Sequence, residues 1–93
     1  MPSQEDLIRL YQEKIHHIED QIKNIEAHIR QLDAFEASEM RRNLPNEYKA
    51  SLHSAISKAK NDAGIVKQKA IAATNNLKSR IHAFMQNPKG GKQ

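Results

Sequence analysis

The sequence predicts an all-α fold, an antiparallel two-helix coiled-coil hairpin that associates into a four-helix bundle or with a helical partner. Three observations carry this expectation. Apolar side chains recur at alternating spacings of three and four over two long stretches. A break centred on proline, Arg41-Arg42-Asn43-Leu44-Pro45-Asn46, separates them. The two halves also carry opposite charge. Residues 1–40 hold four basic groups against nine acidic ones, a net −5, and residues 41–93 hold eleven basic groups against two acidic ones, a net +9. Such halves favour lying against each other.

The first helix is expected over about 4–40. Ser3 is placed as its N-cap, with Glu5 and Asp6 in the first turn, where the positive end of the helix dipole favours acids. Its seam is Ile8, Tyr11, Ile15, Ile18, Ile22, Ile25, Ile29 and Leu32, with isoleucine at every a position. Glu36 and Glu39 then occupy a and d, so the last stretch to Met40 lacks seam support. The turn is expected over 41–46, because Pro45 breaks a helix and disfavours helical geometry at Leu44. Asn43 or Asn46 is expected to cap the second helix.

That second helix is expected over about 47–86, with the seam Leu52, Ile56, Ala59, Ala63, Val66, Ala70, Ala73, Leu77 and Phe84. Arg80 falls in one d slot, where neighbouring Ile81 serves instead. Gly64 costs about 1 kcal/mol relative to alanine, but the seam keeps its phase across it, so one continuous helix is expected. The tail 87–93, with Pro88, Gly90 and Gly91, is expected to end the helix and be disordered.

The two seams complement each other in size. If the chain reverses near residue 44, facing residues have numbers summing to about 88. Ile29 then meets Ala59, Ile25 meets Ala63, Ile22 meets Val66, Ile18 meets Ala70 and Ile15 meets Ala73, large opposite small at most levels, with Leu32 by Ile56. The same register brings Glu26 to Lys60, Glu19 to Lys67, Asp33 to His53 and His28 to Asp62. Each exposed pair is worth only about 0.2–1 kcal/mol, so these pairs matter as register evidence. Isoleucine at both a and d also suits parallel trimers or tetramers of the first helix alone, a rival that leaves the alanine-rich helix without a place.

Composition narrows the function classes. With no Trp, two Phe, two Tyr and 28% charged residues, the chain has no broad core to build. One shared stripe leaves a hairpin this small marginal, so association is expected. Leu7, Leu10, Phe35, Ile65, Ile71 and Met85 stay off the seam and form the expected partner surface. The absence of cysteine excludes disulfides and thiolate metal sites. No apolar run approaches the roughly 20 residues that span a bilayer, and the acidic start lacks a signal-peptide core. A cytoplasmic protein is therefore expected, and leaderless export stays compatible with the sequence. His16, His17, His28, His53 and His82 show no metal-ligand pattern, and no serine sits in a nucleophile elbow. No catalytic residue, cofactor or metal is expected.

Two functional readings emerge. The first is a non-enzymatic protein–protein interaction module, a small helical-hairpin adaptor, chaperone or assembly subunit. In length and outline the chain resembles the hairpin partners of bacterial type VII secretion and the hairpin chaperones of type III secretion. It has Asn43-Leu44-Pro45-Asn46 where the type VII proteins carry a Trp-x-Gly turn, so the resemblance is one of shape and no residue role carries over. The alternative is a small basic nucleic-acid-associated protein using the lysine-rich second helix, with Arg41, Arg42, Lys58, Lys69, Lys78 and Arg80 as anion contacts. No stacking aromatics interleave with those charges.

Overall fold

The start of the first helix is set by four residues. In the computed structural model, which describes residues 3–86, Ser3 Oγ accepts a hydrogen bond from Asp6 N at 3.1 Å. Ser3 N donates back to Asp6 Oδ2 at 3.3 Å. This is a capping box with aspartate as the returning acid, and it satisfies two amide donors that a helix start leaves orphaned. The Ser3 carbonyl accepts the first helical bond from Leu7 N at 3.1 Å. Helix α1 then runs Gln4–Met40.

The reversal is held by bonds from both helices. Arg41 N and Arg42 N donate to the carbonyls of Ser38 and Glu39, three residues back, which tightens the end of α1. Lys49 Nζ donates to the Met40 carbonyl at 3.1 Å, a cation on an orphan acceptor at a helix C-terminus. Helix α2 spans Asn46–Gln86. The Pro45 carbonyl accepts its first bond, from Lys49 N at 3.1 Å, so proline flanks the helix where its missing N–H costs nothing. The expected asparagine cap is not formed. Among the described residues neither Asn43 nor Asn46 donates or accepts a side-chain bond there, and the lysine of the first turn ties the turn instead.

The two helices pack against each other as an all-α helical hairpin, with no strand among the described residues. α2 passes Gly64 without interruption. The chain divides into two compact units. One comprises the described residues of Met1–Ile22 and Lys69–Gln93, and the other is Lys23–Gln68, which contains the turn. In the first unit the helices are antiparallel, with Tyr11 stacked on Phe84 at 5.8 Å between ring centroids and Glu19 paired with Lys78. The Gln4 side-chain amide closes its end by donating to the Phe84 carbonyl at 2.9 Å. In the second unit Glu26, Asp33 and Glu36 meet Lys67, Lys60 and His53 in reverse order, so the helices are antiparallel there too. The tail 87–93 lies outside the described residues.

The buried interior is small. Among the described residues of the first unit only Ile15, 7% exposed, and Thr74, 4% exposed, are buried. In the second only Ile56 is, at 6%. Every other seam side chain of α1 from Ile8 to Leu32 faces inward but stays half-buried.

Candidate interaction surface

Ion pairs between the helices define one flank in each unit. Lys60 Nζ lies 2.6 Å from Asp33 Oδ1, Lys67 Nζ 2.9 Å from Glu26 Oε2, and Lys78 Nζ 3.4 Å from Glu19 Oε2. His53 Nδ1 lies 2.6 Å from Glu36 Oε2. These partners correct the expected ones. Lys60 and Lys67 each reach the acid one heptad nearer the turn than Glu26 and Glu19 respectively. His53 reaches Glu36 rather than Asp33, and Asp62 pairs with Lys58 on its own helix. The physical cause is the tilt of helical side chains toward their own N-terminus. In an antiparallel pair a lysine leans toward the turn and its acid leans away from it. The two meet when the lysine's Cα stands farther from the turn. For Lys60 and Lys67 the numbers sum to 93, five residues or about 7 Å along the axis beyond 88, within the joint reach of the two side chains; Lys78 and Glu19 sum to 97, and His53 and Glu36 to 89.

The same pairing rotates α2 about its axis relative to the expected seam. Val66 is 54% exposed and Ala73 is exposed, whereas Lys67 and Thr74 take the inward places beside them. The inward stripe steps by eleven: Leu52, Ala63 and Thr74; Ile56 and Lys67; Ala59, Ala70 and Ile81. An eleven-residue step follows 3.67 residues per turn, close to the natural helix, where a strict heptad drifts about 20° per repeat. The Lys67 stem covers seam surface while its ammonium reaches Glu26. The Thr74 hydroxyl donates to the Ala70 carbonyl one turn back, at 3.0 Å, and so is satisfied within its own helix. Arg80 is exposed and Ile81 faces inward, as the sequence predicts.

Glu36 and Glu39, the acids that interrupt the α1 heptads, face inward with side chains 17% and 13% exposed. Glu39 accepts from Arg42 at 3.0 Å and from the Tyr48 hydroxyl at 3.1 Å. The Arg42 bond, then the Tyr48 bond, holds the Glu39 carboxyl below its ordinary value, and the same contact raises the Tyr48 hydroxyl. The Lys67 bond and charge lower Glu26, and the Asp33 bond and charge raise Lys60.

The opposite flank carries no ion pair between the helices among the described residues. At about 100° per residue, this flank of α2 presents exposed Ala73 with half-buried Leu77 and Phe84 in the first unit, and exposed Ala55 and Val66 with half-buried Ala59 in the second. The matching residues of α1 are Leu7, Lys14 and Gln21 in the first unit and His28 and Phe35 in the second, with Phe35 50% exposed. Of the expected partner surface, Leu10, Phe35, Ile65 and Met85 are exposed, while Leu7 and Ile71 are half-buried against the hairpin. These residues do not form one patch. Phe35 and Leu7 lie on the flank without ion pairs, Ile71 and Met85 on the other, and Ile65 on the back of α2.

The candidate anion contacts are dispersed and in part already occupied. Arg42 is bound to Glu39, Lys58 to Asp62, and Lys78 to Glu19, and Arg80 Nε donates to Asn76 at 3.3 Å. Among the described residues Arg41 and Lys69 form no ion pair. No three His, Asp or Glu side chains among them gather as a metal-ion site, and no helix is long and apolar enough to cross a membrane. The sequence reading missed the inward roles of Lys67 and Thr74 and the clasp of Glu39 with Arg42 and Tyr48. The eleven-residue spacing of α2, and acids at inward positions of α1 that require donors, are the signals that find them. Comparisons with protein-family models, curated proteins and solved structures return no match.

Proposed function

We propose that this chain is a non-enzymatic protein–protein interaction module, a helical hairpin that acts by packing against further helices as an adaptor, chaperone or assembly subunit. One observation carries the reading. Among the described residues each compact unit buries a single apolar side chain, Ile15 or Ile56, while the rest of the isoleucine- and alanine-rich surface stays half-exposed or exposed. Burying apolar area is what stabilises a fold, at about 25 cal/mol per Å², and two helices alone leave much of that stabilisation unused. A further helix on the uncovered flank recovers it. The paired Lys60, Lys67 and Lys78 weaken the case for α2 as a nucleic-acid contact, because their charge is already answered by α1.

The test is the concentration dependence of unfolding. An associating hairpin gains stability by mass action as its own or its partner's concentration rises. Sedimentation and thermal unfolding of the pure chain, across a hundred-fold range reaching tens of micromolar and again with candidate helical partners, are expected to show stability rising with concentration or with an added partner. A monomer with steep cooperative unfolding, unmoved by concentration or by any helix added, refutes the proposal.

A further inference from the structure

We infer that the uncovered flank of the unit formed by Met1–Ile22 and Lys69–Gln93 docks an acidic amphipathic helix of another protein. The inference rests on the interaction reading above and adds the chemistry of the partner. The flank has an apolar strip and a charge of one sign. Ala73 is exposed, and half-buried Leu77 and Phe84 follow it along the same face of α2. Lys14, Lys69 and Arg80 border the strip, all exposed. Among the described residues none of the three forms an ion pair, and Arg80 spends only its Nε, on Asn76.

None of the acids of this unit stands beside Ala73 or Leu77; Glu5 shares the face of Glu19, and Asp6 and Glu13 line a shallow hollow on α1 with Leu7, Arg9 and Leu10. Glu19 faces the opposite flank, paired with Lys78. Asp6, Glu13 and Asp20 follow a seven-residue spacing on the back of α1, and no Asp or Glu occurs after Asp62. A strip lined by alanine admits close approach of another helix backbone. The bordering cations select one whose own borders are acidic, as charges beside a coiled-coil seam select partners.

A second copy fits this flank poorly. A symmetric pairing through the same surface brings the cations Lys14, Lys69 and Arg80 of one copy toward those of the other, and like charges across an interface are unfavourable. The acidic back of α1 answers the charge, but its exposed apolar content near Asp6 and Glu13 is Leu10 alone, too little to fill the strip.

The experiment titrates the full chain with two synthetic helical peptides of about three heptads, leucine at d and alanine at a. One carries glutamate at e and g, the other lysine. The expected result is binding of the glutamate peptide at least about ten-fold tighter than the lysine peptide at low salt, with the difference shrinking as salt screens it. Ala73→Glu is expected to abolish the preference, while Ala72→Glu, the same change turned to the back of α2, preserves it. Circular dichroism confirms that both variants stay helical. The double variant Lys14→Glu/Arg80→Glu is expected to reverse the preference. Equal binding of the two peptides, or no binding of either, overturns the acidic-helix inference. Self-association that Ala73→Glu disrupts overturns it too but leaves the interaction reading standing. A stable cooperative monomer that binds neither peptide overturns both.

Discussion

Replacing Gly64 by alanine tests whether α2 is one helix in solution. Gly64 lies well inside Asn46–Gln86, and a Cβ built on it meets nothing within 4 Å. No steric cost is therefore subtracted, and no burial is added. What remains is the propensity difference, about 0.8–1 kcal/mol for glycine against alanine in a helix interior. Much of it comes from the greater freedom glycine has in the unfolded chain. A gain of that size corresponds to about 4–8 °C in melting temperature for a chain of this length. The assay is urea unfolding followed by far-ultraviolet circular dichroism, run at several protein concentrations so that any stability gained by association is separated from the helix term. The shift in midpoint is expected to be the same at each concentration, with the slope unchanged. An unchanged or lowered midpoint for Gly64→Ala refutes the reasoning. It would mean that the chain near Asn61-Asp62-Ala63-Gly64 leaves helical geometry in solution, giving three helices instead of two.

Three further perturbations separate the other contributions. Ile56→Ala removes the buried side chain of the turn-containing unit and is expected to cost about 2–5 kcal/mol, whereas Val66→Ala, at a side chain 54% exposed, is expected to cost under about 1 kcal/mol in the isolated chain. Equal losses in a urea titration would restore Val66 to the seam. Ser3→Ala deletes the capping oxygen on Asp6 N and is expected to lower stability by about 1 kcal/mol; an Asp6→Ala variant as stable as wild type would show that the reciprocal bond contributes nothing. The pH dependence comes from the shifted groups. Glu26 and Glu39 titrate below their ordinary 4.5 in the folded state, so their contribution is complete above about that pH and is lost as pH falls through the lowered values. Lys60 and Tyr48 titrate above their ordinary 10.5 and 10.0, so their contribution is complete below those values and is lost as pH rises beyond them. Urea midpoints are expected to be level between, to drop in acid, and to drop less in Glu26→Gln/Glu39→Gln; an acid limb unchanged in that double variant would assign the loss to other groups.

The difference between what α1 and α2 disclosed in the sequence has a physical origin. On α1 every a and d position from Ile8 to Leu32 is a large apolar residue, and its neighbours are mostly polar or charged. Only one rotation buries that stripe, so the seam could be read directly. On α2 alanine occupies 50, 55, 59, 63, 70, 72, 73 and 83, which tile most of the helix surface with methyl groups of similar size. Hydrophobic pattern then constrains rotation weakly, and a smaller term decides it. That term is the acidic row Glu19, Glu26 and Asp33, which draws Lys78, Lys67 and Lys60 to one flank and turns Val66 and Ala73 out of the seam. The charge complementarity of the halves was legible, but partners assigned at equal heights along the axis were wrong because long side chains lean. The heptad through Val66 and Ala73 is real periodicity, with its center turned toward the flank that α1 leaves bare. An apolar stripe wider than one neighbour covers reads, in one dimension, as a single seam. In three dimensions it divides into the part α1 covers and the part it leaves exposed.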